Sequence, residues 1–340
     1  MKYHIICFLL LFISLCSNAQ IRIVDGTDGS PVQAASVFID GGKCVGVSGS
    51  DGTLPLPKEY TGTVTVQHLN YTGKEFRADT VSNNTVRLTP YTYTIPEVTA
   101  KYERPDYMVM TVYARSYDIT DSIPSSFGEG MFNFYVPMGK GRIRRKALAI
   151  RRVSASGSGE DGQTDGTTNG YWPRMNRRTL LDEFRKKGIE PMSAAEGVAN
   201  RGRRGKIMCV KRDTVAQTLT VYTDSLCMGE KSAKINFFGL KLRFKGFKDG
   251  ETYYTGNGSP KLADMISKYS YISMSIEYPK KKFKEMEFES FEELYVTGIS
   301  YASKKEMKAA MKAEEQRTVT VPQGIPPLSA PLAEAVSRMK

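Results

Sequence analysis

The sequence is poor in the residues that most hydrolytic active sites need. It has only two histidines, His4 and His68, among 340 residues. A catalytic zinc of the carboxypeptidase type takes two His and one Glu as ligands, and a Ser or Cys nucleophile usually depends on a neighbouring His as its base. Gly139-Lys140-Gly141 lacks the spacing of a phosphate-binding loop. We therefore predict a protein that is not an enzyme, with no catalytic residues, cofactor or metal.

Long apolar runs are missing as well. After the N-terminus the chain has no stretch of about 20 apolar residues, so no transmembrane helix is predicted. Hydrophobic residues make up 40% and charged residues 25% of the sequence, which is ordinary for a globular protein. At about 150 residues per domain, the length suggests about two domains.

The first 19 residues have the pattern of a secretory signal. Lys2 is followed by an apolar run over residues 5–15, and a small-x-small site over residues 17–19 precedes Gln20. This order predicts export, with cleavage after Ala19. Cys16 raises a lipoprotein alternative, but Leu15 stands where acylation sites have a small residue. We therefore expect the exported chain to begin at Gln20.

Cysteines are few and irregularly spaced. Export would leave Cys44, Cys209 and Cys227, and no C-x-x-C motif that would indicate a redox or zinc site. An oxidising compartment permits one bridge, and Cys209–Cys227 is the favoured pair because both lie beside strand-like runs. The alternative, three buried free thiols, stays open.

Charge divides the chain near residue 98. Residues 20–98 hold 6 basic and 8 acidic residues, whereas residues 99–340 hold 41 basic and 28 acidic residues. Within the first part, short alternating apolar runs are separated by turn sequences such as Asp25-Gly26 and Asp51-Gly52. Strands of this length, with turns every 8–12 residues, are typical of an antiparallel β-sandwich.

Several segments of this first part resemble a known family. A Val-Asp pair, a G-x-P segment, an A-x-V segment and an Asp-Gly turn follow in this order, and the chain then continues into a closing strand and an I-P-E-V segment. The segments resemble the carboxypeptidase regulatory-like domain; they are Val24-Asp25, Gly29-Ser30-Pro31-Val32, Ala35-Ser36-Val37, Asp51-Gly52-Thr53, Val86-Arg87-Leu88 and Ile95-Pro96-Glu97-Val98. The resemblance implies a seven-stranded, transthyretin-like sandwich. It also implies an exported protein of the Gram-negative envelope, periplasmic or associated with the outer membrane.

Residues 99–320 are predicted to form a basic α+β domain, and residues 321–340 a Pro-rich linker and a C-terminal helix. Strand-like runs dominate, with a helix over residues 179–187 that stops at Gly188. Ser303-x-x-Glu306 predicts a capping box that opens a helix over residues 304–316. Ser329 predicts the start of the last helix, which either folds back on the chain or docks on a partner. The predicted fold class is mainly β with α+β: a seven-stranded Greek-key-type β-sandwich, then a β-rich domain with a few helices.

Basic clusters are the strongest functional signal in the second part. If several converge in space, they would form an anion-attracting surface. Export argues against nucleic acid, so anionic lipid headgroups, acidic glycans or an envelope protein are the expected partners. The alternative is dispersed, solvated charge. The candidate anion-binding residues are Arg142, Arg144, Arg145, Lys146, Arg201, Arg203 and Arg204.

Acidic residues support a weaker alternative. Glu285, Glu287 and Glu289 alternate, so a strand would place them on one face, while Glu292 and Glu293 add no further pattern. Two carboxylates at a suitable separation could hydrolyse a glycoside. The sequence thus favours an exported, non-catalytic binding or scaffolding protein of the cell envelope. The two alternatives are a hydrolase with carboxylates in residues 99–340 and a carrier of an anionic or amphipathic ligand on a curved β surface.

The predicted export has a direct test. N-terminal sequencing of protein from the envelope fraction should begin at Gln20, because cleavage follows the small-x-small site. An intact Met1 on protein recovered from the cytosol would contradict it.

Overall fold

The computed structural model describes most of the chain after residue 19. The predicted signal, most of the loop predicted over residues 154–170, Cys227, Arg203 and Arg204 lie outside the described residues. The described ranges are 20–40, 42–57, 60–91, 104–155, 173–195, 197–201, 206–225, 234–237, 240–256, 258–277, 285–316 and 318–339.

Seven strands in two sheets form the N-terminal β-sandwich, as predicted. Alternate residues of these strands, such as Val37 and Ile39 or Val64 and Val66, enter a shared core because successive side chains point to opposite faces of a strand. The turn glycine Gly52 has φ +77, and an added Cβ would lie 2.3 Å from the carbonyl oxygen of Ile23, so glycine is required there. The strands are β1 Gln20–Asp25, β2 Ser36–Ile39, β3 Lys43–Val47, β4 Thr53–Pro55, β5 Thr63–His68, β6 Tyr71–Arg77 and β7 Thr85–Leu88. The sheet orders are β4-β1-β7 and β3-β2-β5-β6. Strands β1 and β7 pair in parallel, whereas an antiparallel sandwich was predicted; the strands between them supply the long connection that a parallel pair needs.

The rest of the chain builds one large sheet of ten antiparallel strands. Its order is β10-β9-β8-β17-β16-β15-β13-β12-β11, with β14 paired beside β15. The prediction of a mainly β structure with a few helices is thereby confirmed. The strands are β8 Tyr107–Thr120, β9 Ile123–Pro137, β10 Arg144–Ser154, β11 Gly197–Arg201, β12 Ile207–Asp213, β13 Thr218–Asp224, β14 Lys234–Phe237, β15 Leu240–Tyr254, β16 Met265–Glu277 and β17 Met286–Ala302.

The helices are short, and each begins within one residue of its predicted start, although the side chain of Ser329 makes no capping hydrogen bond. They are α1 Leu180–Lys186, α2 Lys304–Lys312 and α3 Ala330–Ser337. Thr179 and Ser303 each form a capping box with the acidic residue three positions later. The second helix ends at Lys312, four residues before the predicted end, because Gln316 instead donates its N–H to the carbonyl of Leu148 on β10. None of these helices is long and apolar enough to cross a membrane.

The large sheet is buried on both faces. Along β8, Met110 and Val112 enter a core that also contains Phe184 of α1, and we call this side the helix face. The alternate residues Tyr113 and Tyr117 point to the opposite side, the sandwich face, where they meet residues of the N-terminal sandwich. A period of two therefore sorts the side chains of each long strand between two different cores.

The sandwich docks through its four-stranded sheet, whose own two faces are both covered. On β2, Val37 faces the sandwich core, whereas Ser36 and Phe38 face the large sheet. The Ser36 hydroxyl lies 3.1 Å from the hydroxyl of Tyr117. Gln33 donates to the hydroxyl of Tyr269 at 2.9 Å. Hydrogen bonds between polar side chains therefore cross this interface and offset part of the cost of burying them, while Oε1 of Gln33 and Nε2 of Gln67 have no partner among the described residues.

The C-terminal segment folds back and packs between the sandwich and the large sheet. Leu332 and Val336 of α3 pack with Phe38 of the sandwich and Phe127 of β9. The N–H of Ser329 donates to the side-chain oxygen of Gln67, a buried residue of β5, at 2.6 Å. Of the two predicted fates of this helix, the structure has the intramolecular one.

Shortening Leu332 should destabilise the protein. The side chain is 0% exposed and touches both halves of the molecule. Leu332→Ala should lower the free energy of unfolding by about 2–5 kcal/mol, through lost burial and the cavity left behind. Urea unfolding followed by circular dichroism measures this. Val321→Ala is the matched control, because Val321 is 49% exposed and should change little. Equal effects of the two changes would contradict the view that the packing of α3 between the sandwich and the large sheet stabilises the protein.

Candidate anion-binding site

The interface between the sandwich and the large sheet leaves almost no space. Two cavities there measure about 20 and 30 Å³, and His68 lines both. Sites for small molecules usually measure about 300–1,000 Å³, so neither cavity admits a ligand of that size.

His68 packs as a neutral ring. It lies edge-on to Tyr71 and Tyr269, and its Nδ1 accepts from the N–H of Asn70 at 3.0 Å. Burial, with the charge of Lys211, lowers the pKa of His68 to about 3. Its contacts are those of a residue packed in an interface.

The edge strand β10 carries the predicted cluster at residues 142–146. A β-bulge at Leu148 shifts the register between Ala147 and Ala149. Without an extra residue, Arg145 and Arg152 would face opposite sides, because seven positions separate them. With it, both lie on the helix face, where Arg145 sits 5.9 Å from the ring centroid of Phe132. The bulge thus brings together two arginines that a regular strand would separate.

A third arginine is supplied by the segment before α1. Arg145 donates to the carbonyl oxygen of Pro173 at 3.0 Å. Met175 inserts into the core of the helix face, and Thr179 then caps α1. These anchors at both ends hold the exposed Arg174 beside β10.

Arg145 lies within electrostatic reach of both Arg174 and Arg152. Partial burial and the charge of Arg174 lower the pKa of Arg145. Partial burial and the charge of Arg145 likewise lower the pKa of Arg152. All three are exposed. We call Arg145, Arg152 and Arg174 the arginine cluster. Like charges held together on a fixed scaffold create a positive potential that attracts anions.

The other predicted anion-binding residues are distributed around this edge and beyond it. Arg142 and Arg144 are exposed nearby, and Lys146 donates to the carbonyl oxygen of Ala313 at 2.5 Å. Arg201 ends β11, which lies at the opposite end of the strand order from β10. Arg203 and Arg204 lie outside the described residues. Arg144 pairs with Tyr135 and Lys146 with Asn133, so both lie on the face of β10 opposite Arg145. Of the first predicted cluster, the structure therefore joins only Arg145 to Arg152 and Arg174.

Cys44 and Cys209 are buried free thiols in the part of the chain that the structure describes. Cys227, the proposed partner of Cys209, falls outside the described residues.

Sequence reasoning missed the two adjacent acids of β17. Glu293 points to the sandwich face and forms a buried ion pair with Arg115. Glu292 points to the helix face, is 6% exposed, and has one oxygen, Oε2, without a hydrogen-bond partner in the described structure. Burial raises the pKa of Glu292 to about 7, against the opposing charges of Lys268 and Arg174. Their position between the apolar residues Phe291 and Leu294 was the signal that could have marked them as buried.

The alternating acids behave differently. Glu285 precedes β17, Glu287 forms an exposed ion pair with Lys245, and Glu289 accepts from the hydroxyl of Tyr271. Among the described residues, no group of three His, Cys, Asp or Glu side chains could hold a metal ion.

Comparison with known proteins gives little guidance. No family model matches the sequence, and no curated protein matches it. Among solved structures, lipovitellin, from a structure titled "Lipid-protein interactions in lipovitellin", is similar over 59% of this chain and 26% of its own, with 11% identity and a TM-score of 0.33. A likeness this weak carries no argument about function.

The burial of Glu292 should make stability depend on pH. Its folded pKa lies above its ordinary value of 4.5, so the folded state binds more protons between those values and loses stability as pH rises through about 7. Glu292→Gln should therefore stabilise the protein relative to wild type by roughly 1–3 kcal/mol more at pH 8 than at pH 5. Urea unfolding at both pH values measures the difference. Glu287→Gln, on the same strand but exposed, is the control, and a pH-independent effect of Glu292→Gln would contradict this burial cost.

Proposed function

We propose that this protein is an exported, non-catalytic binding protein of the cell envelope that takes phosphate- or sulfate-bearing polyanions at the arginine cluster. The observation that carries the proposal is the convergence of Arg145, Arg152 and Arg174 on one exposed side of β10. Guanidinium groups suit this role because their planar, fixed donors match the oxygens of phosphate and sulfate groups.

A surface site fits the packing better than an internal one. Drug-sized ligands occupy pockets of about 300–1,000 Å³. The two interface cavities are an order of magnitude smaller. This supports binding at the charged edge rather than transport of an amphipathic ligand between the sandwich and the sheet.

The expected export signal sets the class of ligand. Outside the cytoplasm, nucleic acid is not the natural polyanion, whereas lipid phosphates and acidic glycans are. Their shared chemistry is a dense row of fixed negative charges, for which binding falls steeply with salt because exposed charges are screened.

Salt-dependent retention tests the proposal. The Arg145→Ala, Arg152→Ala, Arg174→Ala triple variant should elute from immobilised heparin and from immobilised lipopolysaccharide at clearly lower NaCl than wild type. The control triple variant Arg22→Ala, Lys43→Ala, Arg87→Ala removes equal charge from exposed positions of the sandwich and should elute close to wild type. Thermal unfolding checks that each variant is folded.

The outcomes separate the possibilities. Equal losses in both triple variants would mean that net charge alone drives retention, which would overturn the assigned site. Binding to anionic phospholipid vesicles but not to heparin would identify a lipid headgroup as the source of the charge, and the reverse would identify a glycan.

A further inference from the structure

A buried carboxyl group lies beneath the arginine cluster. Glu292 is on the helix face of β17, and it accepts a hydrogen bond from the main-chain N–H of Arg174. Its Oε2 has no hydrogen-bond partner in the described structure. The residue that supplies one of the three guanidinium groups is therefore tied through its backbone to Glu292.

The charge of Glu292 reaches the arginines themselves. The charge of Glu292, like that of Glu315, acts to raise the pKa of Arg145. The charge of Arg174 in turn acts to lower the pKa of Glu292. Within a partly buried site such interactions are far stronger than between groups fully in water. A negative charge on Glu292 therefore competes with any external anion for the same guanidinium groups.

The other charged groups around Glu292 have fixed partners of their own. On β16, Lys268 lies 3.6 Å from Glu251 of β15, in an ion pair. On β15, Asp249 accepts from the hydroxyl of Ser270 at 2.6 Å. On β8, Asp118, diagonal to Glu292 in the ladder, accepts from Ser126 at 2.5 Å. Glu292, by contrast, keeps an unpartnered oxygen, so it is the group whose ionisation is least compensated.

We propose that Glu292 is a proton-operated switch for the arginine cluster: when it is protonated the cluster binds polyanions strongly, and when it is ionised it offsets one positive charge and weakens binding. This inference rests on the function proposed above and adds its regulation.

The pH window follows from the burial of Glu292. Because burial raises the pKa of Glu292 to about 7, its charge changes mainly between pH 6 and pH 8. His68 stays neutral throughout that range, since its pKa is lowered to about 3. Heparin is a suitable probe because its sulfate esters keep their charge over the same range, so any change in affinity comes from the protein.

Heparin affinity of the full exported chain, measured from pH 5.5 to pH 8.5 at constant ionic strength, tests the switch. Wild type should bind roughly three- to tenfold more weakly at pH 8 than at pH 6. Glu292→Gln should bind at pH 8 about as tightly as wild type does at pH 6. Glu287→Gln, which removes an exposed charge from the same strand, should keep the wild-type pH dependence.

A second measurement needs no variant. If protonation of Glu292 favours heparin binding, heparin binding must favour protonation to the same extent. Wild type should therefore take up protons on binding near pH 7, and calorimetry in buffers with different ionisation enthalpies measures that uptake. Binding without proton uptake would overturn the switch, even if Glu292→Gln failed to fold.

The two proposals fail in different ways. Arginine-dependent binding that is flat with pH, or that keeps its pH slope in Glu292→Gln, would reject the switch and leave the binding site in place. If wild type bound heparin no better than the arginine triple variant at every pH, the proposed function itself would be wrong.

Discussion

The architecture depends on one buried lysine. Lys248 of β15 is 0% exposed, and its ammonium group donates both to Asp224 of β13 and to the carbonyl oxygen of Ser48 in the sandwich, each at 2.8 Å. Burial lowers the pKa of Lys248, and the charge of Asp224 opposes that effect. Because this ammonium group lies between the sandwich and the sheet, truncating its side chain would leave Asp224 buried without its counter-charge, which costs several kcal/mol. The sandwich therefore packs on the sheet as a layer joined to it through a buried ion.

The same layering explains the basic edge. With the sandwich and α3 on one face of the large sheet, the segment around Met175 and α1 covers the other face. This segment places Arg174 beside β10, where Arg145 donates to the carbonyl oxygen of Pro173, and the main-chain N–H of Arg174 donates to Glu292. The candidate site thus arises where a covering segment meets the sheet edge, and its charge pattern is a product of packing as much as of composition.

Local signals in the sequence predicted local structure well. Alternating runs marked the strands, and Ser303 with Glu306 marked a helix start, because capping depends only on residues three positions away. The convergence of Arg145 with Arg174 was beyond such reasoning, since it depends on strand register and a long-range hydrogen bond. Glu292 was missed because the sequence analysis looked for acids that alternate on one face, namely Glu285, Glu287 and Glu289. Both faces of β17 are buried, so adjacent acids such as Glu292 and Glu293 are both buried.

The bulge at Leu148 has another effect on β10. An edge strand offers free N–H and C=O groups that invite a strand from another molecule to pair, which is a route to aggregation. Here the extra residue interrupts that row, and its carbonyl is taken by Gln316, which also bridges to Ala149. The bulge that places Arg145 and Arg152 on one face therefore also hinders strand pairing between copies along β10. This edge strand can thus stay exposed to the proposed ligand without becoming a template for polymerisation.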